Sequence, residues 1–451
     1  MPVDGRGMLL FRHFGHSFRK FRKQQGPLVQ FILYNTIFPL AAGVAKALSL
    51  FSPKLKTFFT VRKNLFRNLG NARGPGKKTG PVIWVHAASA GEFEQARPLI
   101  EELRRSRPDI LVRISFQSVS AYALHKDYPG ADLVFYHPLD TVRNARRTVE
   151  IVQPDVFVLM RYDFWPNHLR ASRERGARLV LAAAVLHDRS VYFKPVAKWF
   201  YGRVFSLFDS IFTVSESDRR KFAATFGRTD AVQAGDPRFD QALRRKRGGD
   251  RIARLAPFYA DRTLLVAGST WEKDEELLLA AYRELHASLS MVLVPHDVSP
   301  ANMERLEGTL RSAGVPWAKL SSLPDDFSAD SVLIVDRIGI LVELYALAKM
   351  AYVGGGFGVN VHNTVEPAVH GIPVLFGPVH RNSPEAGELI AAEGASEVHS
   401  ADDLVACLRN LLDDPEALRR RGEAAGAYVS RRLGASRTIA AGILRQIDGL
   451  S

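Results

Sequence analysis

A chain of 451 residues is about three times the usual domain length, so two large domains, or two with an appendage, are expected and a single small binding module is excluded. Hydrophobic residues at 46% and charged residues at 24% match a folded globular protein, and the lone cysteine, Cys407, rules out an intramolecular disulfide and a cysteine-based zinc site, which suits a reducing compartment. The net charge of +14 is confined to residues 1–80, where fifteen Lys and Arg stand against one acid, Asp4, so that the rest of the chain is formally neutral.

That basic segment also holds the longest apolar stretch, Leu28 to Phe51, interrupted by Gln30, Asn35, Pro39 and Lys46. It is long enough to span a bilayer, but bases flank both ends, whereas a spanning helix carries its basic bias on one side. A helix lying on the surface fits better: the flanking bases attract anionic headgroups while Phe31, Ile32, Phe38, Leu40 and Leu50 enter the acyl boundary. Residues 1–80 are therefore expected to be a membrane-associating segment, monotopic in preference to a single span or a buried hairpin. A cleaved signal peptide fits less well, because the basic lead is long and the body lacks secretory cysteine usage. Nucleic acid is not expected as a partner, since the bases are not interleaved with stacking aromatics on the body.

From Pro81 onward short β-rich runs alternate with helical stretches. The runs are Val82–His86, Ile110–Phe116, Leu133–Tyr136, Val156–Met160, Leu179–Ala184 and Ser210–Val214, then Thr263–Ala267, Ser290–Val294, Val332–Val335, Ala351–Val353 and Pro373–Phe376. Continuous apolar strands separated by helices are the mark of a parallel sheet covered on both faces, here in two doubly wound halves. The charged run Arg244-Arg245-Lys246-Arg247-Gly248-Gly249-Asp250 reads as the linker between them. Ligands of such sheets bind outside the carboxyl ends of the strands, and with two such domains the cleft between them is the natural site.

Three strand-to-helix junctions are the places to look. At His86-Ala87-Ala88-Ser89-Ala90-Gly91-Glu92-Phe93 the small residues make a tight turn, and Phe93, Ala96, Ile100 and Leu103 recur at helical spacing, which puts Glu92 in the first helical turn. Glu92 is either a carboxylate complementing the helix dipole or a base at the cleft mouth. Gly268-Ser269-Thr270-Trp271-Glu272 repeats this arrangement in the second half, where backbone N–H groups at a helix start can hold a phosphate; the plainer reading makes Ser269 or Thr270 an N-cap. The third junction runs Gly354-Gly355-Gly356-Phe357 to His362-Asn363-Thr364-Val365-Glu366. Its glycines admit close approach of a ligand and Glu366 can accept hydrogen bonds from ribose hydroxyls, or Asn363 and Glu366 form a capping box. No Gly-x-Gly-x-x-Gly fingerprint follows the first strand, and there is no Walker loop and no His-Glu-x-x-His.

Taken together, Ser89-Ala90-Gly91-Glu92, Phe164-Trp165-Pro166-Asn167, Gly235-Asp236-Pro237-Arg238-Phe239-Asp240, Gly268-Ser269-Thr270 and Gly354 through Pro378 resemble, in that order, the 3-deoxy-D-manno-octulosonic acid (Kdo) transferases of lipopolysaccharide assembly, over essentially residues 28–440. The resemblance implies an α/β GT-B fold, with two Rossmann-like domains facing a cleft: 81–245 for the acceptor, 246–430 for the nucleotide sugar, and 431–451 as a C-terminal helix open to crossing back to the first domain. It implies CMP-Kdo as donor, a lipid A precursor (lipid IVA) as acceptor, inversion at the anomeric carbon and no metal or other cofactor. It also implies placement on the anionic cytoplasmic face of a bacterial inner membrane. On this resemblance Glu92 and Asp163 are the catalytic candidates, and Ser89, Ala90 and Gly91 the acceptor-binding ones. Gly268, Ser269, Thr270, Pro295, His296, Gly354, Gly355, Gly356, His362, Asn363 and Glu366 are the donor-binding candidates.

The sequence departs from the commoner family pattern in three places. Arg161-Tyr162-Asp163 stands where many members have two glutamates before Trp-Pro, Trp271 replaces a common His, and Pro295-His296-Asp297 stands for Pro-Arg-His, as in Bacteroidetes-type members. CMP is a good leaving group, so one base, Glu92, suffices to take the acceptor proton, while helix starts at Ser269 and Asn363 hold the phosphate and Glu366 the ribose. The alternatives are another GT-B nucleotide-sugar transferase or epimerase, and a non-catalytic protein of the membrane surface.

Overall fold

The computed structural model describes residues 29–72, 80–246 and 250–449. The basic residues from Arg6 to Lys23, together with Arg73, Lys77 and Lys78, lie outside the described residues, as do Arg247, Gly248 and Gly249 of the expected linker. The chain divides into two units. The first holds the residues up to Ala234 and from Ile439 onward; the second holds Gly235–Thr438 together with Arg97–Leu99.

The first unit is built on a seven-stranded sheet in the order β3-β2-β1-β4-β5-β6-β7, every neighbouring pair parallel. Its strands are β1 Val82–Ala87, β2 Leu111–Phe116, β3 Leu133–Tyr136, β4 Val156–Met160, β5 Arg178–Ala184, β6 Ser210–Thr213 and β7 Val232–Gln233. Val82, Ile83, Trp84 and Val85 in β1, and all of β4, are buried on both faces, which is why these strands read as unbroken apolar runs without alternation. One layer is clamped by Trp84 stacked on Phe157 at 4.0 Å; the helix Ala90–Ser106 buries Phe93, Ala96, Ile100 and Leu103, the residues its spacing singles out.

The second unit repeats the plan in the order β10-β11-β9-β8-β12-β13-β14. Its strands are β8 Leu264–Thr270, β9 Ser290–Pro295, β10 Trp317–Lys319, β11 Val332–Ile334, β12 Met350–Val353, β13 Val374–Phe376 and β14 Ala395–Glu397. In both sheets the order reverses at the middle, between β1 and β4 and between β8 and β12, and the loops leaving the carboxyl ends of those strands carry the candidate residues.

One boundary differs from the sequence reading, and three strands escape it. The division falls between Ala234 and Gly235, because Arg244, Arg245 and Lys246 are not linker: they end the helix Pro237–Lys246, which buries Phe239 and Ala242 in the second unit's core. The short strands β7, β10 and β14 carry no apolar run of their own and had no signal to find.

Ahead of β1, the apolar stretch forms one helix, Val29–Leu48, the only described helix long and apolar enough to cross a membrane. Its inner face is seated on the first unit by Tyr34, whose hydroxyl donates to Asp140 Oδ2 at 2.8 Å, and by Asn35, whose Oδ1 accepts from Asn167 Nδ2 at 2.7 Å. Phe38 meets Trp165 edge to face, and the Arg170 guanidinium lies over the Phe31 ring. The outer face exposes Leu33, Ile37, Leu40, Val44 and Leu48 at helical spacing, and the turn after it leaves Leu50 81% and Phe51 86% exposed. Of the nearby bases, Arg62 points inward: it donates to the carbonyls of His137 and Gln117, and burial lowers its pKa to about 10.

Candidate active site

In the first unit the site grows from the turn after β1. Ser89 is the N-cap of the helix Ala90–Ser106, its Oγ accepting the Glu92 N–H at 3.3 Å, and Glu92 Oε2 accepts the Ala88 N–H at 2.7 Å. The carboxylate that complements the helix start is thus buried at the strand end, only 7% exposed. Burial raises the Glu92 pKa above the usual carboxylate range. The Ala88 N–H bond, His86 and Arg161 pull the other way, and the Asp163 charge adds to the rise. Burial, which the spacing does not reveal, is the largest of these influences. A base with this environment gives a testable pH profile. Turnover is expected to fall with decreasing pH along an acid limb lying above the ordinary Glu range, because Glu92 must be ionised to accept a proton. A profile flat through that range removes Glu92 as the titrating base.

Asp163 follows β4 and is partly buried. Its Oδ2 is 3.0 Å from His86 Nε2 and accepts from Trp165 Nε1, also at 3.0 Å. Arg161, where the resembled family more often has an acid, stands in the left-handed region at φ +59° and donates from Nε to Gln95 Oε1 at 2.8 Å. A non-glycine residue in that conformation costs on the order of 1–3 kcal/mol, a strain that clusters at functional sites. Ser89 and Gly91 are exposed and Ala90 half-buried at the rim of the same turn.

Behind this rim lies a polar cluster that the sequence reading missed: His86, Ser115, His137, Asp140 and His168, all fully buried. Ser115 Oγ accepts from Trp84 Nε1 at 2.8 Å and lies 2.9 Å from His86 Nδ1. The His137 ring is 4.3 Å from both the His86 and His168 rings, and His168 Nδ1 lies 2.5 Å from Asp140 Oδ1. Burial, with the neighbouring histidines and Arg62, holds His137 well below the usual imidazole range, so it is neutral. The one available signal was a histidine ending an otherwise apolar strand, since a buried polar group needs partners.

In the second unit the loops after β8, β9 and β12 converge. Ser269 is left-handed, φ +55°, and the helix Glu272–Leu285 begins one turn later than the expected phosphate-holding start at Ser269: its N-cap is Trp271, whose N–H is taken by Asp274 Oδ2 at 2.9 Å. Thr270 is no cap either. Its hydroxyl is buried and donates to Glu275 Oε1 at 3.1 Å, a carboxylate paired in turn with Arg305. Asp274 joins the loops, accepting from Gly355 N–H and from the Tyr352 hydroxyl, both at 2.8 Å.

The three glycines answer to the chain's own backbone. A Cβ on Gly354 would lie 2.4 Å from the Ser269 carbonyl oxygen. One on Gly355, φ +92°, would lie 2.3 Å from the Asn360 carbonyl oxygen, and one on Gly356 would lie 2.6 Å from Gly377 N. At Gly268 a Cβ would meet side chains instead, the Tyr345 hydroxyl and the Leu341 methyls. Asn363 Oδ1 accepts from Val365 N–H at 3.1 Å, and the helix that follows, Val365–Ala368, is a single turn without a side-chain cap, so the Asn363–Glu366 box does not form and a phosphate gains little dipole there. Glu366 instead pairs with Arg245 at 2.8 Å. Trp271, His296 and His362 make a layered set: Trp271 stacks on His296 at 4.7 Å, His296 on His362 at 4.6 Å, and Trp271 Nε1 donates to His362 Nε2 at 3.0 Å. Burial and the adjacent His296 lower the His362 pKa, leaving that nitrogen free to accept. Pro295 ends β9, and the His296 N–H donates to the Thr270 carbonyl at 2.9 Å.

Residues 63–241 match the family model described as 3-Deoxy-D-manno-octulosonic-acid transferase (kdotransferase). The chain is 29% identical over 384 residues to the 3-deoxy-D-manno-octulosonic acid transferase of Aquifex aeolicus, covering 83% of this chain and 97% of that one. It is 27% identical over 401 residues to that of Haemophilus influenzae, covering 86% and 90%. Among solved structures, the UDP-GlcNAc 2-epimerase of Neisseria meningitidis matches with a TM-score of 0.56 at 15% identity, over 81% of this chain and 100% of that chain. A glycosyltransferase of Rickettsia africae matches with 0.56 at 12% identity, over 83% and 100%. These structural likenesses speak for the GT-B-like fold of two parallel-sheet units.

Proposed function

The chain belongs to the Kdo transferase family of glycosyltransferases, and from that premise we propose that it moves Kdo from CMP-Kdo to a lipid A precursor, with inversion and without a metal, at the cytoplasmic face of an inner membrane. The observation that carries the mechanism is the buried Glu92 carboxylate at the carboxyl end of β1, more basic than an ordinary glutamate. Glu92 takes the proton of the acceptor hydroxyl as its oxygen attacks the anomeric carbon, and the bond to CMP breaks with the electron pair leaving on the phosphate. CMP departs as a phosphate monoester and needs no strong acid to leave. Burial keeps Glu92 basic and the Asp163 charge adds to it; Ser89, Ala90 and Gly91 shape the acceptor side.

In the second unit the donor role rests on the loops after β8, β9 and β12. The flat faces of Trp271, His296 and His362 suit the planar base of a nucleotide. Glu366 suits the ribose hydroxyls, with Arg245 paired to it at 2.8 Å. Glu366→Gln is expected to weaken CMP binding about tenfold or more, the equivalent of a charge-assisted hydrogen bond of roughly 1.5–3 kcal/mol. Calorimetric titration beside a thermal melt decides it: unchanged affinity with a lowered melt leaves Glu366 a partner of Arg245 and nothing more.

Membrane attachment rests on the exposed stripe Leu33, Ile37, Leu40, Val44 and Leu48 with Leu50 and Phe51. The apolar surface extends to Val196 and Trp199 on the helix Pro195–Phe205, whose Phe200 stacks on Tyr34 at 5.9 Å. Replacing Leu40, Val44, Leu50 and Phe51 together by Ser is expected to release the protein from anionic vesicles in sedimentation while leaving CMP affinity unchanged. All four are solvent-facing, so folding is spared. Undiminished sedimentation with such vesicles counts against attachment through this helix.

A further inference from the structure

We propose that His86 is a positioning residue of the transfer reaction, locked as its Nε2–H tautomer by Ser115 and Trp84 so that, with Trp165, it holds the Asp163 carboxylate in place beside Glu92.

The proton placement follows from which groups can only donate. The Trp84 indole N–H has no acceptor capacity, and it donates to Ser115 Oγ at 2.8 Å. The Ser115 hydroxyl therefore has its own proton to give, and the nearer nitrogen is His86 Nδ1 at 2.9 Å, against 3.4 Å to His137 Nδ1. With Nδ1 accepting, the His86 proton sits on Nε2, 3.0 Å from Asp163 Oδ2. The opposite tautomer would face an unprotonated Nε2 toward a carboxylate oxygen at that distance, lone pair against charge.

Trp165 completes the arrangement. Its indole N–H donates to the same Oδ2 at 3.0 Å and is also directed at His86 Nε2 at 3.1 Å; with the proton on Nε2 it serves Oδ2 alone. Two donors on one oxygen fix the rotamer of an aspartate whose side chain is otherwise 26% exposed, and the charge they hold is one of those that raise the Glu92 pKa. His86 itself is fully buried, and His137 and Trp165 rings stack at 5.4 Å behind it, so its ring has no room to turn over. It acts through Asp163 and has no part in bonding to substrate.

The turnover readout rests on the Kdo-transfer reading, so the test pairs it with one that does not. His86→Leu is expected to lower kcat about tenfold with KM for donor and acceptor changed little. His86→Gln, whose amide nitrogen reaches the position of Nε2, recovers part of the loss. In the Asp163→Asn background His86→Leu costs nothing further, because the two act as one unit. Full turnover in His86→Leu, or a loss in the Asp163→Asn background as large as in the wild type, overturns the proposal. Nitrogen-15 histidine spectra of the full chain in detergent read the tautomer directly, whatever the substrate. An Nε2–H signal for His86, assigned by its loss in His86→Gln, supports the proposal, and an Nδ1–H signal overturns it. A wild-type chain with the Nε2–H tautomer and no Kdo transfer sinks the proposed reaction instead and leaves the positioning geometry standing.

Discussion

Replacing Glu92 by Gln is expected to lower kcat at least ~100-fold while CMP affinity stays within about twofold of the wild type. Gln keeps the length of the side chain, but its neutral amide cannot take the acceptor proton. To keep the bond now made by the Ala88 N–H at 2.7 Å, the amide must present its carbonyl oxygen, which it can do without moving the turn. Binding of the nucleotide, which we propose for the second unit, should not register the change. Asp163→Asn removes a charge that raises the Glu92 pKa and one acceptor of the His86 and Trp165 donors, yet leaves the base in place, so its cost should be smaller. Near-normal turnover in Glu92→Gln with collapse in Asp163→Asn would move the base to Asp163.

The second large effect is on stability. Asp140 is fully buried and its carboxylate accepts four donors: the Tyr34 hydroxyl, the backbone N–H groups of Asn167 and His168, and His168 Nδ1. These join the outer helix Val29–Leu48, the loop after β3 and the start of the helix Pro166–Glu174. Asp140→Ala leaves all four without an acceptor in a site closed to water. The unfolding free energy of the first unit is expected to drop by about 3–5 kcal/mol, as when one partner of a buried polar pair is removed. Asp140→Asn, which keeps one carbonyl oxygen, should lose less. Urea denaturation followed by tryptophan fluorescence measures both. A shift below about 1 kcal/mol in Asp140→Ala would mean that the seat of the helix does not depend on this carboxylate.

The central strands were legible because burial on both faces leaves an unbroken apolar run, and Val82–Val85, Val156–Met160 and Ser290–Val294 are such runs. The apolar stretch from Leu28 likewise announced its helix, and the spacing of Phe93, Ala96, Ile100 and Leu103 put Glu92 in a first turn, where it stands. Helix starts in the second unit were misplaced for a definite reason. Ser269 and Thr270 have the chemistry of a cap, but Asp274 reaches back to the Trp271 N–H and moves the start, while Ser269 takes a left-handed conformation that its residue type does not advertise. The glycines at 354–356 read as admitting close approach of a ligand, but what approaches them is the backbone of residues 269, 360 and 377. The Arg245–Glu366 pair and the His86–His137–His168 cluster join residues far apart in sequence, and such pairings have no local signal.

The central claim, that this chain transfers Kdo, is met most directly by incubating the full protein with CMP-Kdo and a tetraacyl lipid A precursor and reading the lipid by mass spectrometry, with the Glu92→Gln variant alongside. The account expects the lipid to gain the mass of one or more Kdo residues with matching release of CMP, and the variant to show little of either. An unmodified lipid with intact CMP-Kdo, under conditions where the same protein accepts a different nucleotide sugar, would contradict it.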